Sequence, residues 1–358
     1  MTERVLSVRE LNRALLARQL LLQRHRLPLQ RALERVAGLQ TQYAPTGYIG
    51  LWSRLQGFER RALTRALERR AVVQGTLMRT TIHMVSARDY WLFALGVRRE
   101  RREWWLRQHK EAASEADLQA HADRLRAALA EGPRRESELG ELASGFLGHV
   151  GLWLDLVRAP PSGTWERRRA DILAAAEDWI GPTQVSEEDG LDHLLRRYLG
   201  GFGPARLKDA ADWAGVRVTT LRPAVDHLKL RRFRDEEGRE LIDLPRAPLP
   251  PPDSPAPPRF LGVWEAALLV HARRTRILPE EFRPLVFNIK TPHSVNTFLV
   301  DGAVAGRWRV ERAKTAATLV LEPFEPIPRR FRRELAHEGE RLVRFLEPAA
   351  DRYAVRQR

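Results

Sequence analysis

The sequence predicts a mainly helical α+β protein in which small helical units precede a strand-rich C-terminal part. Helical hydrophobic periodicity dominates the chain up to about residue 244. Two stretches within that region repeat the order helix, turn, helix, hairpin, which is the order of a winged helix. A proline-rich segment separates them from a series of short strand patterns.

The first helix is predicted from Ser7, which opens the Ser-x-x-Glu pattern of a capping box. Leucines and alanines then recur at helical spacing, so this helix is expected to reach about Gln23. A second helix is expected to start at Pro28 and to fade near Gly38. Ala44 is expected to be non-helical because a proline follows it.

Helical patterns resume at residues 51–55 and 59–69. Residues 76–85 are rich in β-branched side chains and too short for another helix, so they predict one strand. A second capping signal, from Ser86 to Asp89, opens a long helix.

Two later stretches, residues 132–139 and 203–210, resemble one another, and both begin with Gly-Pro. Each is followed by a second short helix and then by a basic, strand-like run. That run lies at residues 162–169 in the first copy and at residues 231–244 in the second. Because the order occurs twice, the sequence predicts tandem winged helices.

Eight of the fourteen residues from 245 to 258 are proline, which predicts a stiff linker and not a packed element. Beyond it, strands are predicted at residues 286–289, 297–300, 303–310 and 315–321. Asp301-Gly302 is the strongest hairpin-turn signal in the sequence. A final helix is predicted over residues 329–346.

The chain carries 61 Lys and Arg against 46 Asp and Glu, a formal net charge of +15. Such an excess is typical of a protein with a polyanionic partner, and nucleic acid is the first candidate.

With no cysteine, disulfides, thiol nucleophiles and Cys-bearing zinc sites are excluded. No apolar run reaches the ~20 residues of a membrane span, and the N-terminal residues lack a signal-peptide pattern. A cytoplasmic protein with no membrane partner is expected.

Several catalytic signatures are absent from the sequence: GxGxxG, the P-loop, GxSxG and HExxH. The ten His are scattered without metal-ligand spacing. We therefore predict neither a metal nor a cofactor.

Gln40-x-Gln42 is the candidate catalytic motif, at the predicted exit from the second helix. Residues two apart share a face only in an extended segment, where this pair can present two amides to one small object. The alternative is an ordinary pair of solvent-facing glutamines. Tyr43-Ala44-Pro45 and the nearby Trp52 favour an ordered exit, and both amides are expected to lie outside the apolar core.

Three groups of polar residues are candidates for nucleic-acid contact: Arg79, Thr80, Thr81 and His83; Trp165, Arg167, Arg168 and Arg169; and Lys290, His293 and Asn296. The alternative for the first group is a half-exposed strand without a ligand. For the second it is a wing with a core tryptophan and solvated arginines. Lys290 is either a surface residue or a Schiff-base nucleophile.

Taken together, these residues resemble the AlkZ-like family of winged-helix DNA glycosylases. The resemblance spans nearly the whole chain and rests on residues 16–19, 36–42, 51–55, 78–85, 203–205, 258–264 and 300–308. It implies three tandem winged helices and a β-rich C-terminal domain, forming a C shape with a basic concave surface around DNA. The implied parts are residues 1–110, 111–180 and 181–245 for the winged helices, 246–258 for the linker and 259–358 for the C-terminal domain.

The resemblance also implies a reaction: excision of N7-alkylated guanine, including crosslinks and bulky antibiotic adducts. The catalytic signature of the family, Gln-x-Gln or Gln-x-Asp, falls on Gln40 and Gln42. The Gln-x-Gln form is similar to the branch linked to self-resistance of antibiotic producers, although Thr41 stands where that branch usually has an apolar residue.

The chemistry of two neutral amides agrees with this expectation. Cleaving an unmodified nucleoside needs a carboxylate or an amine, and an amide is neither. An N7-alkylated purine already carries positive charge and leaves readily, so two amides that position a water can suffice. We therefore expect a monofunctional DNA glycosylase acting as a monomer on double-stranded DNA that carries alkylated guanine. The alternative is a non-catalytic winged-helix DNA-binding protein or transcription regulator.

Overall fold

Helices and three β-sheets make up the part of the chain that the computed structural model describes, residues 3–109, 111, 113–142, 152–287 and 294–358. The predicted α+β class, in which helices are combined with sheets, is confirmed. In these ranges, no helix has the length and the apolar composition that a bilayer crossing requires.

The helices, named in chain order, are α1 Val8–Arg18, α2 Leu29–Arg35, α3 Pro45–Arg54, α4 Arg60–Glu68, α5 Ala87–Gln108, α6 Glu115–Leu129, α7 Ala176–Ile180, α8 Glu187–Phe202, α9 Leu207–Ala214, α10 Val218–His227, α11 Arg283–Val286 and α12 Arg329–Leu346.

The strands are β1 Val5–Leu6, β2 Leu39–Gln40, β3 Val72–Thr76, β4 Ile82–Ser86, β5 Arg134–Arg135, β6 Leu156–Arg158, β7 Ile172–Ala175, β8 Arg231–Asp235, β9 Glu240–Asp243, β10 Arg259–Leu261, β11 Thr297–Val300, β12 Ala303–Arg312, β13 Ala316–Pro323 and β14 Arg352–Gln357. They form sheets of order β1-β8-β9, β2-β4-β3-β6-β7-β5 and β10-β11-β12-β13-β14.

The capping box at Ser7 is confirmed as the start of α1, with the Ser7 hydroxyl accepting from the amide of Glu10. The helix ends at Arg18, earlier than predicted at Gln23, because Leu20 takes a left-handed conformation with φ of 57°. Pro28 caps α2 as expected, and the chain then turns through Gly38 into β2.

The expectation for Ala44 was wrong. Ala44 has helical dihedral angles, φ −48° and ψ −44°, and the proline after it is the first residue of α3. A proline at a first helical position loses no hydrogen bond because the amide there has no partner within the helix.

The single strand predicted over residues 76–85 is also wrong, because this segment turns back on itself. Strands β3 and β4 pair as an antiparallel hairpin, and a short 3₁₀ turn, Met78–Thr80, joins them. Arg79 and Thr80 both have positive φ, 51° and 57°. Without a glycine in the turn, the sequence carries no hairpin signal.

The second repeat copy follows the predicted order: helices α9 and α10 precede the antiparallel pair β8–β9. In the first copy, 3₁₀ turns follow β5, and residues 143–151 lie outside the described ranges. The basic run at residues 162–169 is a loop between β6 and β7 and not a strand, which corrects the prediction. We call residues 159–171 the wing loop.

In the C-terminal part, the Asp301-Gly302 turn and the helix Arg329–Leu346 are confirmed. The strand predicted at residues 286–289 is wrong at its start, because Val286 ends α11; residues 288 and 289 lie outside the described ranges. Strand β14, absent from the prediction, pairs in parallel with β13.

Two features connect the parts of the chain around α3 and β3. The six-stranded sheet continues across the boundary predicted at residue 110, through the pairing of Gly75 with Val157. Ile49 and Trp52 of α3 join the apolar core between α12 and the C-terminal sheet. The segment between α2 and α3, which holds the glutamine pair, is thus fixed by several elements.

Candidate functional site

Gln40 is the last residue of β2 and lies opposite His83 on β4. Its side chain is buried, with 7% of the residue exposed, so the expectation that both glutamines lie outside the core was wrong for this one. The Oε1 atom of Gln40 accepts a hydrogen bond of 2.9 Å from Nη2 of Arg79.

Gln42 is exposed and lies in a bend two residues after the end of β2. The amide of Thr41 donates to the carbonyl oxygen of Ile82 at 2.8 Å. The amide of Ile82 in turn donates to Oε1 of Gln42 at 2.7 Å. The Gln42 side chain therefore takes the place of a backbone carbonyl at the end of the ladder.

The two glutamines are anchored in the same way. The side-chain oxygen of each accepts a hydrogen bond from a residue of the β3–β4 hairpin. Within the described ranges neither amide nitrogen donates a hydrogen bond. Each side chain thus keeps an NH₂ group and the second lone pair of its oxygen available for a bound molecule. Gln40 lies in β2, and the hydrogen bond from the Thr41 amide continues the pairing with β4 as far as Gln42. That both amides face one small bound molecule stays a prediction.

Arg79 holds this arrangement together from the turn of the hairpin. Besides Gln40, its guanidinium donates to the carbonyl oxygen of Trp213 at the end of α9. Burial lowers the pKa of Arg79 to about 10, so the group is charged at neutral pH. Gly215 packs against the backbone of Arg79. A Cβ added to Gly215 would lie 3.1 Å from the backbone nitrogen of Arg79.

His83 is buried beside Gln40. Its Nδ1 donates to the carbonyl oxygen of Thr81 at 3.0 Å, and the Thr81 hydroxyl donates to the carbonyl oxygen of Met78. Burial, followed by the charge of Arg79, lowers the pKa of His83 to about 3, so this histidine is neutral at physiological pH.

Comparison with known protein families identifies the family to which this chain belongs. The model of the AlkZ-like family, described as DNA glycosylase AlkZ-like, matches residues 33–345 and so includes both glutamines. The chain belongs to the AlkZ-like DNA glycosylase family.

A solved structure agrees with this assignment at the level of the fold. The Streptomyces sahachiroi DNA glycosylase AlkZ superimposes with a TM-score of 0.80, over 99% of this chain and 100% of that chain, at 18% sequence identity. No match was found among curated proteins.

In this AlkZ-like protein the four candidates of the wing loop have different surroundings. Trp165 is half-buried against Tyr48 and Phe345, with ring centroids 5.7 and 5.8 Å away. Arg167 and Arg169 each have a nitrogen near Asp171, at 3.5 and 3.8 Å. Arg168 instead donates a hydrogen bond of 2.7 Å to the hydroxyl of Tyr43.

The third candidate group is only partly described. Asn296 accepts a hydrogen bond from the amide of Val263 at 3.1 Å and so orders the start of β11. Lys290 and His293 lie outside the described residues. Thr80, in the hairpin turn, is half-buried.

Two parts of the site were missed by reasoning from the sequence. One is the anchoring of the amides by Arg79 and Ile82, and the other is Tyr43 as the partner of the wing loop. Tyr43 had a usable signal, because an aromatic residue directly follows the motif in the sequence. In the part of the chain that the structure describes, no group of three His, Cys, Asp or Glu is arranged to hold a metal ion.

Proposed function

We propose that this protein is a monofunctional DNA glycosylase that hydrolyses the N-glycosidic bond of N7-alkylguanine in duplex DNA. The observation that carries the proposal is the pair of neutral amides, Gln40 and Gln42, anchored through their oxygens on one hairpin. The family to which the chain belongs supplies the reaction class. The two side chains position the attacking water.

The charge of the site favours a leaving group that is already cationic. The groups that hold the two amides are the Arg79 guanidinium and a backbone N–H, and neither is a base. An unmodified base would have to leave as an anion beside the new sugar cation, a charge separation that a general acid or a carboxylate must stabilise, and an amide is neither. When the base is N7-alkylated, the positive charge moves from the purine to the sugar and the base leaves as a neutral molecule, so no opposite charges are separated.

The exposure of Gln42 favours bulky lesions as substrates, because an adduct beside it does not have to enter a closed pocket. We extend the proposal to bulky or crosslinked adducts of a genotoxic natural product, as expected for the Gln-x-Gln branch. The role would then be self-resistance by base excision repair in a bacterial cytoplasm.

The net positive charge of the chain supports the second part of the proposal, namely binding of the duplex by a monomer. The net charge of +15 favours contacts with phosphates. The candidate contacts are Thr80, Arg167, Arg168 and Arg169, to which the sequence adds Lys290 and His293. His83 is buried opposite Gln40, and the half-buried Arg79 donates to the amide oxygen of Gln40. We assign both residues to positioning the amide and not to direct contact with DNA.

The test is incubation of the full-length protein with a duplex containing a single N7-methylguanine, without added metal. We expect free N7-methylguanine and an abasic strand that breaks only after hot alkali. Matched duplexes with uracil or unmodified guanine at the same position should stay intact. Binding without release of the base would support the non-catalytic alternative. Strand cleavage without alkali, or trapping by borohydride, would indicate an amine nucleophile such as Lys290.

A further inference from the structure

Tyr43 is an exposed aromatic residue that directly follows Gln42, with 40% of its surface accessible. Its hydroxyl oxygen accepts the hydrogen bond from Nη1 of Arg168, across 125 positions in sequence. The Arg168 guanidinium also lies 5.8 Å from the centre of the Tyr43 ring. The wing loop thus reaches the glutamine segment through this contact.

The wing loop is held in one conformation by its own hydrogen bonds. The amides of Gly163 and Thr164 donate to the carbonyl oxygens of Arg169 and Arg167, at 3.1 and 3.0 Å. The hydroxyl of Ser162 donates to the carbonyl oxygen of Arg169 and accepts from the amide of Asp171. The backbone on both sides of Arg168 is therefore ordered before any ligand binds.

Neighbouring elements fix the base of the wing loop as well. Nε2 of Gln74 on β3 donates to the carbonyl oxygen of Gly163 at 2.8 Å. The guanidinium of Arg60 lies 3.8 Å from the ring centre of Trp165. Arg168 therefore projects from a rigid support beside the glutamine segment.

Arg168 differs from its two neighbours in its lack of an acidic partner. Arg167 and Arg169 lie near Asp171, whereas no described carboxylate lies within ion-pair distance of Arg168. Its described hydrogen bond uses Nη1 alone, which leaves the other guanidinium donors unused. The Tyr43 hydroxyl accepts from Arg168, so its own proton is also available to donate.

We propose that Arg168 and Tyr43 together bind one phosphodiester of the DNA. This phosphodiester is adjacent to the sugar at which Gln40 and Gln42 position the attacking water. A guanidinium edge and a phenol O–H are both donors, and a phosphodiester offers acceptor oxygens with negative charge. The inference rests on the proposed function for the identity of the partner. It adds a specific two-residue phosphate site to the general attraction of a basic surface.

The first experiment measures the affinity of the full-length protein for an undamaged duplex over a range of salt. Arg168→Gln should weaken binding about tenfold and reduce the slope of log affinity against log salt by ~0.9, as for one lost phosphate contact. Tyr43→Phe should weaken binding a few-fold and leave the slope unchanged, since no charge is removed. The variant that combines Arg168→Gln with Tyr43→Phe should lose less affinity than the product of the two single fold-losses.

The matched control is Arg246→Gln, which removes the same charge from an exposed arginine without a described partner. It should change affinity less than twofold. Arg168→Lys, which keeps the charge and loses the fork of donors, should retain the slope and recover part of the affinity. The proposal would be overturned if Arg168→Gln and Arg246→Gln lost equal amounts of duplex affinity, or if Tyr43→Phe bound the duplex as tightly as the wild type.

A second experiment locates the phosphate from the DNA side. In a duplex with a single N7-methylguanine, each phosphate near the lesion is replaced in turn by an uncharged methylphosphonate. We expect one position, next to the lesion, where the replacement weakens binding by the wild type and has no effect on Arg168→Gln. If no position behaves in this way, the inference fails even where the base is excised. If this pattern appears without excision, the proposed function fails and the phosphate site stands.

Discussion

Gln40 and Gln42 are fixed by the same hairpin but differ in burial, and this difference separates their contributions to stability. The Gln40 amide is inside the protein and accepts a hydrogen bond from the half-buried Arg79 guanidinium. The Gln42 amide is exposed and caps the end of a strand ladder. Loss of a buried partner leaves a donor without an acceptor, which costs more than loss of an exposed one.

Replacing either glutamine by alanine should slow excision by about 10², the effect of losing ~3 kcal/mol of transition-state stabilisation. Affinity for the duplex should stay close to wild type. Gln42→Ala should leave the melting temperature nearly unchanged, whereas Gln40→Ala should lower the free energy of unfolding by ~1–3 kcal/mol through Arg79. Single-turnover excision, duplex affinity and urea unfolding separate the two effects.

Gln56→Ala is the matched control for Gln42→Ala, because Gln56 is an exposed glutamine whose side chain binds Arg24 and Arg26. It should excise at the wild-type rate. Unchanged excision by both motif variants, with the fold intact, would remove the pair from the mechanism.

His83 makes the stability of the protein depend on pH. Its pKa in the folded protein is about 3, below the unfolded value of ~6.5. The unfolded state therefore binds more protons between these values, and stability falls as pH decreases below 6.5. One such group contributes a slope of ~1.4 kcal/mol per pH unit.

We expect His83→Gln to flatten the decline in stability between about pH 6.5 and pH 5 by up to that slope. The measurement is the free energy of unfolding in urea at both pH values. His227→Gln is the control, because His227 is exposed and its pKa is raised by Asp192, which gives the opposite sign. An identical pH dependence for His83→Gln and the wild type would contradict the assignment.

The β3–β4 hairpin positions both amides through a turn that is conformationally strained. Arg79 and Thr80 occupy the left-handed region, where residues other than glycine and asparagine are disfavoured by ~1–2 kcal/mol. The contacts of Arg79 with Gln40 and Trp213 stabilise this turn. Strain at this position fits an element that orients reacting groups.

Thr80→Asn should raise the free energy of unfolding by about 1 kcal/mol, because asparagine tolerates the left-handed conformation better than a β-branched residue. Thr81→Asn should instead lower it. Thr81 has an ordinary φ of −112°, and its hydroxyl donates to the carbonyl oxygen of Met78. Urea unfolding of both variants is the measurement, and stabilisation by Thr81→Asn but not by Thr80→Asn would contradict the assignment of strain.

Buried ion pairs tie distant parts of the chain together. Arg18 and Asp243 link α1 to β9, with Nη1 and Oδ1 2.6 Å apart. Arg54 and Glu265 link α3 to the C-terminal part, with Nη2 and Oε1 2.7 Å apart. Both pairs are buried, so removing Asp243 or Glu265 leaves the partner arginine as a buried charge without its carboxylate.

Glu265→Leu alone should destabilise the protein by ~3–5 kcal/mol, because the Arg54 charge remains buried without its partner. The double variant Arg54→Met with Glu265→Leu should recover much of that loss. Glu340→Ala is the control, since Glu340 pairs with Arg344 on the exposed face of α12 and should change stability by ~0.5 kcal/mol or less. Urea unfolding of the three variants is the measurement, and a double variant as unstable as the single one would show that the ion pair itself is required.

Local signals in the sequence were sufficient for several elements. The capping box at Ser7, the N-cap at Ser86, the Asp301-Gly302 turn and the helix Arg329–Leu346 were all predicted at the positions observed. Their hydrogen bonds join residues three or four positions apart, so the pattern of nearby residues is enough. The sequence also determined the net charge, the candidate glutamines and the family they resemble.

Tertiary structure alone decided how those glutamines are held. The bond of Gln40 to Arg79 joins residues 39 positions apart, and that of Tyr43 to Arg168 joins residues 125 positions apart. The burial of Gln40, the strained turn without glycine and the parallel strand β14 depend on the same kind of contact. Such contacts form only when distant segments pack together, and hydrophobic periodicity specifies the face that is buried without specifying the partner that covers it.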